Sequence, residues 1–433
     1  MTPSARLSAA IDVLSSLDVR RRPAAETLKD WGQAHRFAGS SDRAAIAGLV
    51  YDALRRRASA AFVMDDVSPR AVVLGMLALE RRLDVDGVAA LCNGSSHAPE
   101  PLSDHERTRL AERSLEGASP WVAGDYPDWL DPAFARVFGE QRVAELAALA
   151  ERAPLDLRVN TLKADRDDVA PALAPLHPTP TRWSPAGLRI KLEAGSKSPM
   201  IHAEPAFIKG HIEIQDEGSQ LAALLSGVRA GEQVVDLCAG AGGKTLALAA
   251  MMANRGQIYA TDTDKPRLAA IHARLTRAGV RNVQVRTPSG ERDVLADLSG
   301  HANLVMIDAP CSGTGAWRRN PDAKWRMRPG ALATRCQEQV VVLDRAASLV
   351  RIGGRIVYVT CSVIEEENDV QIRGFLDRHA GFSITPPAAV AAGLGERGSI
   401  FQRAVRLSEH GLLMTPRLTD TDGFFVAMVT RVA

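Results

Sequence analysis

The chain is poor in the residues that would bridge it covalently or hold a metal. Its 433 residues include five cysteines, Cys92, Cys238, Cys311, Cys336 and Cys361, an odd and scattered set with no CxxC pair. That excludes a disulfide framework and argues against a metal site of the zinc type. A reducing, cytoplasmic setting follows as the default. No apolar run approaches the ~18 residues that cross a bilayer, so no membrane is expected as a partner. Arg6, Asp12 and Asp18 interrupt the apolar positions of the N-terminus, so a secretory leader is not expected there. Charge of neither sign dominates: 53 Lys and Arg stand against 51 Asp and Glu, a net of +2, and global charge is silent about partners. The remainder is 46% hydrophobic and 24% charged, ordinary for a globular protein. The length suggests several domains, and a monomer is the default.

Local charge says more. Arg20-Arg21-Arg22 and Arg55-Arg56-Arg57 are short basic runs, read as solvated faces. The stretch Trp317 to Arg328 holds Arg318, Arg319, Lys324, Arg326 and Arg328 against Asp322 alone, with Trp317 and Trp325 interleaved. Cations beside aromatic rings suit a phosphate backbone and an unstacked base, which makes this stretch a candidate RNA contact.

Periodicity divides the chain into three parts. Residues 1–120 read as an all-α module: Leu7, Ala10, Ile11, Leu14 and Leu17 fall at helical spacing. Gly39-Ser40-Ser41-Asp42 offers an N-cap before the apolar face of Ile46, Leu49, Val50, Ala53 and Leu54. Val72 to Leu79 is a third helix. Residues 121–210 read as a small α+β segment, with a helix from Pro132 to Arg152 and a strand at Leu155–Val159. Within 211–433 strands alternate with helices: strands 233–237, 257–260, 282–286, 303–307 and 355–359, and helices 244–252, 266–278 and 331–350. That alternation predicts a doubly wound, parallel α/β sheet.

The turn Cys238-Ala239-Gly240-Ala241-Gly242-Gly243-Lys244-Thr245 joins the first of these strands to its helix, where open α/β sheets bind ligands. It is nearly a phosphate-binding loop, but Cys238 stands where that motif needs glycine. It is nearly a dinucleotide fingerprint, but Thr245 replaces the last glycine. A third ligand, S-adenosylmethionine, has a ribose and an amino-acid end and no phosphate. Asp262, at the end of the second strand and about 20 residues on, has the spacing of a ribose acid. The turn alone leaves the three readings open.

Asp308-Ala309-Pro310-Cys311 follows the fourth strand and Thr360-Cys361-Ser362 the next, so topology puts both thiols on the ligand-binding rim. Cys92, Cys238 and Cys336 read as small buried hydrophobes. Two thiols, an acid and a methyl-donor site together suit covalent activation of a pyrimidine. A thiolate that adds to carbon 6 of cytosine makes carbon 5 nucleophilic enough to accept a methyl group.

These residues, with Asn320-Pro321-Asp322-Ala323-Lys324-Trp325, Thr421-Asp422-Gly423-Phe424-Phe425-Val426-Ala427 and Arg158-Val159-Asn160-Thr161-Leu162-Lys163, closely resemble the Sun (Fmu, RsmB-type) family of RNA cytosine-5 methyltransferases. Asp42-Arg43 and Leu54-Arg55 resemble the NusB-like RNA-binding domain of the same branch. The resemblance implies a Rossmann-like catalytic domain, S-adenosylmethionine as cofactor, and ribosomal RNA as partner, with transfer RNA as the alternative. It implies Cys361 as nucleophile, Cys311 as the residue that aids release, and Asp308 facing ring and donor. It also implies a donor site of Cys238 to Lys244, Asp262 and Arg267, with Lys244 near donor and base. One departure stands out. The acid that the family carries after the third strand is missing: Arg286-Thr287-Pro288-Ser289-Gly290 precedes Glu291 and Asp293. Ser289, Asp293 or neither fills that slot. The competing functions are a non-catalytic RNA-binding assembly factor, which the cysteine pair argues against, and a phosphohydrolase, which Cys238 argues against.

Overall fold

The computed structural model describes the chain from Met1 to Ala433 apart from Arg21, residues 193–197, Glu291 and the side chain of Arg20. The Arg20-Arg21 part of the first basic run and Glu291 therefore lie outside the described residues. The chain forms two compact units: residues 1–153, 192–198 and 317–327, and residues 154–191, 199–316 and 328–433.

The first unit is helical. Its leading helices are α1 (Pro3–Arg20), α2 (Ala24–Ala34), α3 (Ser40–Arg55), α4 (Arg57–Met64) and α5 (Pro69–Leu79). Gly39 is the N-cap of α3, and the Asp42 carboxylate reaches back to its amide. Helix α5 starts on Ser68, whose hydroxyl accepts from Ala71 N, and every residue from Ala71 to Ala78 is buried. A helix apolar on all sides belongs at a core's centre, and α5 packs among Leu7, Val13, Ile46, Val50, Val63 and Leu110. Gly75 lets α5 touch α4, since a Cβ there would lie 2.6 Å from Ala60 O. The helix expected over Pro132–Arg152 is broken at Gly139 (φ +54°) into Asp131–Phe138 and Arg142–Ala150.

The segment 317–327 belongs to this helical unit and not to the sheet, and burial takes part of the basic stretch out of solvent while Arg326 and Arg328 stay exposed. Trp317, Arg318 and Lys324 are buried. Lys324 Nζ donates to Arg55 O at 2.9 Å and Asp125 O at 2.6 Å, and Trp325 Nε1 donates to Leu54 O at 2.7 Å. Asp322 accepts from Ala24 N at the start of α2. The second arginine run is no solvated face either: Arg55 pairs with Asp52, Arg56 with Glu80 and Arg57 with Asp18.

The second unit holds two sheets. The small one, ordered β2-β3-β1-β4, comprises β1 (Leu155–Val159), β2 (Thr179–Pro180), β3 (Gly187–Ile190) and β4 (Ile212–Ile214). The large one contains β5 (Gln233–Asp236), β6 (Gln257–Ala260), β7 (Val283–Val285), β8 (Ala302–Asp308), β9 (Val350–Thr360), β10 (Phe382–Ile384), β11 (Arg406–Leu407), β12 (Leu412–Met414) and β13 (Phe424–Arg431). Strands β9-β8-β5-β6-β7 are parallel, as the βα alternation predicts, with β5, β8 and the second half of β9 the most deeply buried. The closing strands depart from the doubly wound pattern: β13 runs antiparallel beside β9, and β12 and β11 continue outward. The helix expected over 266–278 is two pieces, Lys265–Ala269 and Ile271–Ala278.

Candidate active site

All the predicted site residues lie in the second unit, at the carboxyl ends of β5, β6, β8 and β9. The turn after β5 is held by its own amides: Ala239 N donates to Thr261 O at 3.0 Å and Gly242 N to Ala239 O at 2.8 Å. Gly240 (φ +53°) and Gly242 (φ +86°) take a backbone conformation that side chains disfavour. Contact forbids one at Gly242 as well, since its Cβ would come 2.4 Å from Ile271. Helix Gly243–Met251 starts directly on this turn.

Asp262 is buried and fixed by two amides, Gly240 N at 2.7 Å and Asp264 N at 2.8 Å. Arg267 lies against the turn, its Nε 2.8 Å from the position of a Gly240 Cβ. Lys244 is buried with Nζ 2.8 Å from Asp308 Oδ2 and 5.2 Å from the centre of the Phe424 ring. Asp236 is buried, takes a hydrogen bond from Thr245 Oγ1 at 2.7 Å and leaves Oδ1 without a partner. Burial pushes it up to about 7. Cys238 is partly exposed rather than buried, and burial of the sulfur with Asp236 nearby pushes its thiol up. Cys92 is buried as expected, whereas Cys336 is partly exposed.

The two rim cysteines meet: Cys311 Sγ lies 3.4 Å from Cys361 Sγ, both partly exposed. Cys311 is held well above the ordinary thiol range by its hydrogen bond with Cys361 and by burial. Either sulfur can be the donor of that hydrogen bond. Their loops are tied together by Gly315 N to Cys361 O at 2.9 Å and Val363 N to Thr314 Oγ1 at 2.9 Å. Gly315 also abuts Gly423, where a Cβ would lie 2.1 Å from the Gly423 carbonyl oxygen. That contact anchors the start of β13, whose Phe424 faces Lys244.

Sequence reasoning missed the residue that organises this pair. Glu367 sits at the end of an acidic run, Glu365-Glu366-Glu367, of the kind that usually faces water. It is instead fully buried. Its Oε1 accepts from Ser312 N at 2.7 Å and Gln339 Nε2 at 3.1 Å, and its Oε2 accepts from both Ser312 Oγ and Ser362 Oγ. One carboxylate thus bridges the residues that follow Cys311 and Cys361. The only signal in the sequence was an acid six residues beyond a rim cysteine.

The candidates for the slot after β7 are engaged or turned to solvent. Asp293 forms a pair with Arg345 at 2.6 Å, and Ser289 is exposed in a turn bridged to Arg292. Arg286 pairs with Asp297 and stacks on Tyr259, 4.5 Å from the ring centre.

The site fits a ligand with a ribose and no phosphate. Lys244 is turned to Asp308 and the Gly240 amide to Asp262, so the groups a phosphate loop would present are engaged. Asp262 is rigidly held and offers carboxylate lone pairs, the acceptors that a ribose diol needs. Among the described residues no cluster of three or more metal-ligating side chains occurs, and no helix is long and apolar enough to cross a membrane.

Fold and site together define an S-adenosylmethionine-dependent methyltransferase. Residues 223–430 match the family described as 16S rRNA methyltransferase RsmB/F, and residues 126–194 match the RsmF/B-like ferredoxin-like domain. A probable ribosomal RNA small subunit methyltransferase B of Synechocystis sp. is 30% identical over 365 residues, covering 84% of this chain and 79% of that protein. Among solved structures, a methyltransferase homologue from Pyrococcus horikoshii is 26% identical with a TM-score of 0.58, covering 73% of this chain and 99% of that one. The NSun6 structure from Pyrococcus horikoshii with SFG shares the fold, at 20% identity and a TM-score of 0.59 over 71% of this chain and 98% of that one. The chain belongs to the RsmB/F methyltransferase family.

Proposed function

We propose that the protein methylates carbon 5 of a cytosine in small-subunit ribosomal RNA through a transient bond between Cys361 and the base. The observation that carries this is the Cys311–Cys361 pair, with sulfurs 3.4 Å apart, on the same rim as the Lys244–Asp308 pair. The name of the Synechocystis relative supports ribosomal RNA as the substrate class. The NusB-like resemblance of residues 1–120 supports an RNA-binding role for the helical unit. A target cytosine in a loop follows from the need to reach an unstacked base.

The Cys361 thiolate adds to carbon 6, forming a C–S bond and moving the ring's electrons towards carbon 5 and nitrogen 3. The Cys311 sulfur, 3.4 Å away, stabilises that thiolate by hydrogen bonding when it is the thiol partner. Asp308 faces nitrogen 3, with the Lys244 ammonium beside it to offset the charge that builds there. S-adenosylmethionine, held by residues 238–244, Asp262 and Arg267, supplies the electrophilic methyl group when bound. Solvent at the partly exposed rim then takes the carbon 5 proton, the C–H electron pair restores the carbon 5–carbon 6 double bond, and the C–S bond breaks with Cys361 leaving as thiolate, its release aided by Cys311 beside it.

Two variants test this. Cys361→Ser replaces a thiolate with a far weaker neutral nucleophile and should abolish turnover. Cys311→Ala should leave RNA attached to Cys361 as a denaturation-resistant band. Full activity of the first, or no adduct with the second, removes the assigned roles. Tight RNA binding with no methylation of any RNA would favour the assembly-factor reading.

A further inference from the structure

An arginine-rich knot lies against the glycine turn and has no part in the reaction above. Arg158, on β1, is 6% exposed. Its Nε donates to Gln215 Oε1 at 2.6 Å, and its terminal nitrogens reach no acceptor among the described residues. The carboxylate whose field reaches it, Glu213, is already bound by Arg274 at 3.0 Å and Arg277 at 2.6 Å. Three guanidinium groups thus share one carboxylate. Burial pulls Arg158 down to about 10, the mark of a cation short of compensating charge. The knot abuts the turn: Arg274 Nη1 donates to Ala241 O at 2.7 Å, and Gln215 Nε2 lies 3.7 Å from the position of a Gly243 Cβ.

A buried arginine with a free fork and no ion pair is costly to keep unless an anion completes it. Planar, paired N–H donors match carboxylate and phosphate oxygens. We propose that Arg158, backed by Arg274, is an oxyanion-binding subsite beside the glycine turn, taking either a phosphodiester of the bound RNA or the carboxylate of the methyl donor. The proposal rests on the methyl-transfer reading and deepens it by naming a contact to one of its two substrates.

The test is binding, which stays readable even if no methylation is found. Wild type, Arg158→Gln and Arg158→Lys are titrated with small-subunit ribosomal RNA at several salt concentrations, and with S-adenosylhomocysteine by calorimetry. Arg158→Gln should weaken one of the two ligands at least tenfold, with partial recovery in Arg158→Lys. If the anion is a phosphodiester, the RNA affinity falls and its log–log salt slope flattens by about 0.7 to 0.9. If it is the carboxylate, S-adenosylhomocysteine weakens and the RNA slope is unchanged. A merely structural arginine would lower the melting temperature without moving either. Affinities within twofold of wild type for both ligands overturn the proposal. Should Arg158→Gln not fold, Arg274→Gln on the partly exposed rim carries the same expectations and the same refutation. A wild type that binds both ligands but makes no 5-methylcytosine sinks the methyl-transfer reading alone.

Discussion

Replacing Glu367 by Gln tests whether a single buried carboxylate sets the geometry of the cysteine pair. The carboxylate takes four donors: Ser312 N, Ser312 Oγ, Ser362 Oγ and Gln339 Nε2. An amide of the same shape keeps one oxygen for Ser312 N and Gln339. It turns an NH2 towards two hydroxyls, which can rotate to accept. Little volume changes, and the loss is mainly charge assistance. Hydrogen bonds to a charged group contribute about 1.5–3 kcal/mol against about 1 for neutral ones, so four weakened bonds give about 2–8 kcal/mol of destabilisation. A functional effect should accompany the stability effect. The residues that Glu367 holds follow Cys311 and Cys361 directly, and a shift of order 1 Å in reacting groups costs about 10²-fold in rate. The assay is a urea melt together with kcat and KM for methyl transfer. The expected variant folds, melts earlier, and loses kcat at nearly unchanged KM. A variant with wild-type melting and kcat within twofold would refute the reasoning, because the cysteine loops would then be held by their backbone contacts alone.

Two further outcomes depend on pH. In the helical unit, Lys324 is buried among Asp125, Arg55 and Arg56, and burial pulls it from 10.5 to about 7. The unfolded chain therefore binds the extra proton between pH 7 and 10.5, and stability should rise with pH across that window, by at most about 1.4 kcal/mol per unit. Lys324→Met should flatten that rise in urea midpoints, and an unchanged slope would show the charged form to be compensated by its two carbonyl acceptors. Asp236 acts in the opposite sense: it is raised from 3.8 to about 7, so its contribution is present below pH 3.8 and is lost as pH climbs to 7. Asp236→Asn should gain stability relative to wild type over that interval and level off above it, as read by melting temperature against pH. A constant difference between the two proteins would place the titration elsewhere.

The parts of the site that could be read from sequence are those fixed by short-range rules. Strand β5, the turn and its helix are contiguous, so apolar runs and glycines announce them, and βα alternation alone carries Cys311 and Cys361 to one rim. What could not be read depends on partners far along the chain. The basic, tryptophan-containing stretch has the composition of an RNA contact, yet Lys324 and Trp325 find their acceptors on Asp125, Arg55 and Leu54, some 200 to 270 residues earlier. Composition cannot distinguish a lysine that meets phosphate from one that meets buried carbonyls, because both need only a hydrogen-bonding cation. Glu367 failed for the same reason, with an acidic run that predicts solvent and four donors drawn from three separate segments. The two cases share a consequence. The helical unit is completed by residues 317–327, which follow the Cys311 loop in sequence, so residues 1–153 alone lack Trp317, Lys324 and Trp325 from their core. A polar group that anchors a distant segment is costly to leave unpaired. Substitutions in this motif should therefore act first on the stability of the helical unit, before any effect on RNA affinity.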